Sequence, residues 1–322
     1  MGRYSAGAYV NLMSAIDIGT NTILMLIADV NSTGEIRVVR DEQVIARLGK
    51  GVDERHMILP ETFERVLHYL SEYKRIHHIE HSQRMIACGT SALRDAANSK
   101  EFIDFIRTRL GFEVLVLSGD EEASLTYLGA VSEFLEPNEM QQFVVLDIGG
   151  GSTEFVTGTS SSVESKMSLD VGSVRLTERY LKTSPPLPSS LKQAQRFVRD
   201  HLRTLTELEK RTRCIGVAGT LTTLAAIDLQ LSTYDRKRVS GHVLTLKVIE
   251  SIFNRLKGKN LEELKAIRQI VPERADIILA GILILVEVMK KIGVGQIIAC
   301  DRGLRYGILM KAAREMSNGL GR

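Results

Sequence analysis

The chain reads as an α/β protein assembled from two halves, and three observations predict this. Strand-like β-branched runs alternate with helix-period stretches along the whole length. The 322 residues correspond to about two domains. Two related segments, Asp17-Ile-Gly-Thr-Asn-Thr and Asp147-Ile-Gly-Gly-Gly-Ser, recur 130 residues apart, and each opens one half. With 44% apolar residues the chain can bury a sizeable core.

The first half is predicted as a strand over Ser14–Ile18, a glycine loop, a strand over Thr22–Val30, a turn at Asn31–Gly34 and a strand over Glu35–Val44. A helix follows from Pro60, where proline suits the first helical position. Strands over Arg84–Ala87 and Glu113–Leu117 each run into a helix. The polar stretch Phe134–Gln142, with Pro137 and Asn138, marks the boundary, so the expected domains are 1–137 and 138–322. The second half restarts with strand, glycine loop and strand over Phe143–Thr157, then a strand near Val163–Leu169. Helices dominate thereafter, with short strands near Cys214–Ala218 and Gln296–Ala299. Lys182–Ser190 holds three of the six prolines and reads as a loop inside the second domain.

Residues 1–12 are too weakly apolar and too short for a secretory signal and are expected to form a mobile tail. Ile277–Met289 is the most apolar run, yet it is shorter than the ~20 residues a membrane-spanning helix requires. It reads as a core helix. A formal net charge of +3 does not argue for a nucleic-acid or membrane partner. Cys88, Cys214 and Cys300 stand far apart without metal-ligand spacing, which suits structural cysteines in a reducing, cytoplasmic setting.

The glycine turns carry the chemistry. Glycine permits tight turns whose successive N–H groups converge on an anion. Hydroxyls of Thr20, Thr22, Ser152 and Thr153 and the amide of Asn21 add donors at the same places. Asp17 and Asp147 would repel a bare phosphate, so a divalent cation between them is the economical reading. Either loop alone is equally well read as a simple turn. Together they resemble the phosphate loops of the actin, sugar-kinase and heat-shock-chaperone superfold, whose ribonuclease-H-like domains are duplicated around a cleft.

Three further stretches suit the same purpose. Ala87–Ser99 ends a strand and starts a short helix at Thr90 or Ser91, with Arg94 available to a phosphate or to solvent. Leu117–Val131 is a helix capped by Ser118 or Asp120, with Glu121 and Glu122 in its first turn. Those acids either serve the helix dipole or supply a general base for water. Cys214–Ile227 is a strand, a glycine turn at Gly219 and a helix opened by Thr220.

Taken in order, IDIGTNT, GTSALRDA, SGDEEASLTYLGA, LDIGGGSTE and AGTLTTLA resemble the exopolyphosphatase and guanosine pentaphosphate phosphatase (Ppx/GppA) family in its compact two-domain form. ARLGKGVD, DVGSVRLTERYL, ERADIILAGILIL and DRGLRYGIL extend the resemblance over nearly the whole chain. It implies hydrolysis of the terminal phosphate of linear polyphosphate. By the same resemblance Glu122 is the base that activates water. Asp147, Glu154 and Asp17 are metal-side acids for Mg²⁺ or another divalent cation, and Glu154 also helps to orient water. Gly19, Thr20, Asn21, Thr22, Ser91, Arg94, Gly149, Gly150, Gly151, Ser152, Thr153, Gly219 and Thr220 bind phosphate.

A long polyanion calls for further cations. Candidates are Arg175, Arg179, Lys192, Arg196, Arg199, Arg203 and Lys210–Arg213, of which Arg196, Arg199 and Arg203 share a helical spacing; each reads more readily as part of a solvated helix face and is left out of the site. Alternatives of function are guanosine pentaphosphate as substrate of the same centre, a sugar or acid kinase of the same superfold, and a non-catalytic polyphosphate or alarmone sensor. A homodimer is the default oligomer.

Overall fold

A computed structural model describes residues 11–31, 35–136, 141–208 and 212–319. The first half contains β1 (Leu12–Ile18), β2 (Ile23–Val30), β3 (Ile36–Val44), α1 (Val52–Arg55), α2 (Pro60–Ile79), β4 (Arg84–Gly89), α3 (Ser91–Asp95), α4 (Ser99–Leu110), β5 (Val114–Val116) and α5 (Gly119–Val131). The second contains β6 (Gln142–Ile148), β7 (Thr153–Thr159), β8 (Val163–Leu169), α6 (Ser173–Tyr180), α7 (Pro188–His201), β9 (Arg213–Val217), α8 (Ala218–Asp228), α9 (Arg236–Val239) and β10 (Val243–Thr245). It continues with α10 (Leu246–Leu256), α11 (Leu261–Lys265), α12 (Ile278–Lys291), β11 (Gln296–Ala299) and α13 (Leu304–Gly319).

The two halves repeat one topology. The first sheet has the order β3-β2-β1-β4-β5 and the second β10-β11-β9-β6-β7-β8. In each, three antiparallel strands joined by hairpins are followed by two parallel strands reached through helical crossovers, and the second sheet adds β10, antiparallel to β11, at its edge. The first strand of each half is central and nearly all buried, because helices cover both faces of its sheet. The third strand of each half lies exposed along much of its length.

α2 and α4 bury Phe63, Val66, Leu70, Phe102 and Ile106 against one face of the first sheet. On the other face α5 and α13 pack through Leu125, Tyr306 and Leu309 onto Met13 and Leu26. A Cβ at Gly307 would lie 1.8 Å from the Leu125 carbonyl oxygen, so only glycine lets these helices approach so closely. Ala123, Tyr127 and Ala130 of α5 meet Phe143, Val145 and Val156 of the second sheet. α5 is therefore the wedge between the sheets, and its first turn faces the space between them. The apolar run predicted as a core helix is α12, buried from Ile278 to Met289.

Several boundaries differ from the sequence reading. β1 starts at Leu12, which is buried, so the expected tail is shorter; residues 1–10 lie outside the described set. Residues 32–34 of the predicted turn and 137–140 of the predicted boundary also lie outside it. α13, expected with the second half, packs on the first sheet. Among the described residues no helix is long and apolar enough to cross a membrane, and the three cysteines are free and buried.

Candidate active site

The β1–β2 and β6–β7 hairpins meet at the bottom of a cleft of about 540 Å³. Each turn is closed by the same bond: Gly19 N–H donates to the Thr22 carbonyl and Gly149 N–H to the Ser152 carbonyl, both at 3.0 Å. The remaining carbonyls are pulled backwards by neighbouring chain. In the first hairpin Gly49 N–H donates to the Thr20 carbonyl (2.8 Å) and Arg47 N–H to the Asn21 carbonyl (2.9 Å). In the second, the start of α6 takes all three glycine carbonyls: Ser173 N–H donates to Gly149, Val174 and Arg175 N–H to Gly150, and Arg175 Nε to Gly151.

A trans peptide points its C=O and N–H in opposite directions. Tying the carbonyls back therefore turns the N–H groups of Asn21, Thr22, Gly150, Gly151 and Ser152 the other way. Among the described residues these five N–H groups meet no protein acceptor. The result is two facing sets of unused donors, the arrangement that binds phosphate oxygens.

Acids stand between them. Asp17 and Asp147 are half-buried at the ends of β1 and β6 and line the cleft, as does Glu122 in the first turn of α5, which is only 8% exposed. Burial, then the charges of Glu122 and Asp147, push the Asp17 carboxyl up to about 8. Burial and Glu122 push Asp147 up to about 7. Glu122 is raised by burial, while the Arg94 guanidinium beside it acts to lower it. Glu154 is raised well above the carboxylate range by burial and by Glu122 and Asp147. A cluster of anions that raise one another in a desolvated cleft calls for a cation. Asp17 accepts no hydrogen bond from the described residues, and its oxygens remain available. Among the described residues no group of three or more His, Cys, Asp or Glu stands ready-made as a metal site. Asp17 and Asp147, from opposite hairpins, are the two cleft-lining carboxylates that would hold a divalent ion.

Most of the residues singled out in the sequence gather here: Gly19, Thr20, Asn21, Thr22, Ser91, Gly149, Gly150, Gly151, Ser152, Gly219 and Thr220 all line the cleft. Three do not. Glu154 pairs with Asp147 across the β6–β7 ladder, is 1% exposed and accepts a hydrogen bond from Ser168 Oγ at 2.8 Å. Thr153 is buried with its hydroxyl on the Val171 carbonyl. Arg94 is paired with Glu122 at 2.6 Å and also donates to the Leu117 carbonyl at 3.0 Å. Ser118, not Asp120, caps α5 and forms a capping box with Glu121, which leaves Glu122 as the acid turned to the cleft.

Most of the described candidate cations outside the site are paired with acids rather than ranged as a basic stripe. Arg175 and Arg179 are engaged with Asp53, Arg199 with the buried Glu287, and Arg203, beyond the end of α7, with Asp200. Lys192 and Arg196 are exposed, and residues 210–211 lie outside the described set. Among the described residues the cations that line the cleft are Arg236 of α9, Arg305 of α13, and Arg268 and Arg274 from the segment before α12. No periodicity marks Arg268 and Arg274, because they sit on turns brought to the cleft by the fold. Gly172-Ser173 ahead of an amphipathic run was the available signal for α6. A Cβ at Gly172 would lie 2.3 Å from the Gly150 carbonyl oxygen.

Two sheets of one topology, with paired phosphate-cradling hairpins on a common cleft, define the duplicated actin-like α/β class. Comparison with known proteins narrows this. The Ppx/GppA phosphatase family model matches residues 26–316, and the chain belongs to that family. It is 35% identical over 317 residues to Exopolyphosphatase 2 of Mycobacterium tuberculosis, covering 94% of this chain and 98% of that protein. The crystal structure of the Aquifex aeolicus Ppx/GppA family member superposes with a TM-score of 0.79 at 30% identity, over 95% of this chain and 98% of the other. An exopolyphosphatase from Cytophaga hutchinsonii gives a TM-score of 0.85 at 26% identity, over 95% and 98%.

Proposed function

We propose that the chain is an exopolyphosphatase, in which water attacks the terminal phosphoryl group of linear polyphosphate and orthophosphate leaves. The observation that carries this reading is the meeting of Asp17, Asp147 and Glu122 in one cleft between two sets of unused backbone donors. Phosphoryl transfer requires charge neutralisation and an aligned nucleophile, with little covalent work by the protein. The five N–H groups and the hydroxyls of Thr20, Ser91 and Ser152 bind the phosphate oxygens. Asp17 and Asp147 would hold a divalent cation, which would neutralise phosphate charge. Glu122, ionised beside Arg94, takes the proton from water. Glu154, behind Asp147, acts through the field it adds rather than by contact.

A second reading rests on the far end of the cleft. Beyond the hairpins it is lined by Leu231, Tyr234, Val271, Ile277 and Ile278, with Arg268 and Arg274, an apolar and cationic extension that suits the nucleoside end of guanosine pentaphosphate. The test is Mg²⁺-dependent orthophosphate release from long-chain polyphosphate, guanosine pentaphosphate and ATP, compared at equal phosphate. Release from polyphosphate is the expected result. Release from guanosine pentaphosphate alone favours the second reading, and none from any substrate overturns both.

A further inference from the structure

We propose that Arg175 is a positioning residue that makes the shape of the second glycine hairpin depend on closure of the two lobes. This rests on the activity proposed above. Its guanidinium has three partners and no spare face. Nε donates to the Gly151 carbonyl at 2.8 Å, Nη1 pairs with Asp53, and Nη2 pairs with Asp95 at 2.5 Å. The first partner belongs to the hairpin. The other two stand on α1 and at the end of α3, in the opposite lobe.

The contact is built, not incidental. The Arg175 and Asp53 side chains are each 11% exposed. Against the upward push of burial, hydrogen bonds from Arg179 and the charge of Arg175 hold Asp53 below the ordinary carboxylate range. Asp95 also accepts from Ser91 Oγ at 3.4 Å, and Ser91 lines the cleft. Two more bridges run beside it from α6: Arg179 to Asp53, and Gly51 N–H to Glu178 at 2.9 Å. Other α6 contacts to the hairpin, from the backbone N–H groups of Ser173, Val174 and Arg175 and from Ser173 Oγ, stay within its own lobe. Among the described residues, Arg175 alone joins a carbonyl of this hairpin to the other lobe.

The consequence follows from peptide geometry. Pinning the Gly151 carbonyl aims the Ser152 N–H at the cleft. When the lobes part, Asp53 and Asp95 withdraw, the guanidinium loses the two anchors that fix its plane, and the Ser152 donor loses its aim. When they close on substrate the donor is set again. Only a planar fork serves three acceptors in fixed directions, so lysine cannot replace it.

The test compares wild type with R175K, R175M and D95N, the last a milder change that leaves Nε on Gly151. Expected is a fall in kcat of about 10²-fold for both Arg175 variants, the scale of a misplaced donor, and a smaller fall for D95N. KM should move little, and equally for short and long polyphosphate. Hydrogen exchange should quicken in the segment 144–156 of R175K and stay unchanged in 14–25. A KM that climbs with chain length at unchanged kcat would make Arg175 a substrate contact and overturn the proposal. So would unchanged exchange in 144–156. If wild type releases no phosphate at all, the activity reading falls, and the exchange comparison still decides the role of Arg175.

Discussion

The two hairpins at the base of the cleft share a plan and differ in their backing. In both, a strand ends in Asp-Ile-Gly, the turn is closed by the same backbone bond, and the outer carbonyls are tied away from the cleft. The residue opposite the aspartate differs. Asp17 faces Leu24 across its ladder, whereas Asp147 faces Glu154. The supports differ too: irregular chain at Arg47–Gly49 holds the first hairpin, and a helix start with Arg175 holds the second. The first hairpin is a binding element. The second adds acidic charge and a rigid, interlobe brace, so a duplicated fold has placed more of the electrostatic work on one copy.

The comparison can be broken most directly at the base above both hairpins. Glu122→Gln should lower kcat by about 10² to 10⁴, the range for a general base, with polyphosphate binding retained. Steady-state kinetics paired with a binding measurement check this, and full activity would remove Glu122 from the reaction.

The backing is tested by adding one methyl group to each support. Gly172→Ala drives Cβ against backbone, the Gly150 carbonyl, whereas Gly49→Ala meets the Thr20 side chain, 2.3 Å away at Cγ2. A side chain can yield and a braced backbone cannot. Gly172→Ala should cost about 1–3 kcal/mol and Gly49→Ala less, read from denaturant unfolding. The reverse order would mean that the second hairpin is the looser one.

Both aspartates carry raised pKa values, up to about 8 for Asp17 and about 7 for Asp147. A carboxyl raised in the folded state adds stability below its unfolded pKa of about 4 and loses it as pH rises through the folded value. Metal-free protein should therefore melt at progressively lower temperature from about pH 4 to about pH 8. Mg²⁺ competes with those protons, so its stabilisation should be greater at the alkaline end. A melting temperature flat over this window would show that the two acids are not strained. The smallest effect is expected far from either hairpin: Arg203→Ala breaks an exposed pair with Asp200 and should change stability by less than about 1 kcal/mol, with KM unchanged for long polyphosphate.

Much of this was legible in the residue order. The hairpins, a cap at Ser118 or Asp120 and the core helix near Ile278 follow from local rules of φ, hydrogen-bond partners and apolar period. The partners of Arg94 and Arg175 were not legible, for one reason. An arginine can reach phosphate, solvent or a carboxylate with equal local plausibility, and the choice depends on which acids the fold delivers. For Arg94 it delivers Glu122, 28 positions away; for Arg175, Asp53 and Asp95 from the other half. Glu154 was likewise placed among the contacting acids because strand alternation does not say whether a buried neighbour of Asp147 opens to the cleft.

By itself the sequence determined the duplicated α/β plan, the two turns and the acids at their rims, because strand period, glycine and helix caps act within a few residues. Only the tertiary structure decided which carbonyls are tied back, which arginine braces which loop and which acid faces the cleft. Those outcomes depend on distances between segments 24 to 122 residues apart, and a charged side chain takes the partner that leaves it least desolvated and unpaired.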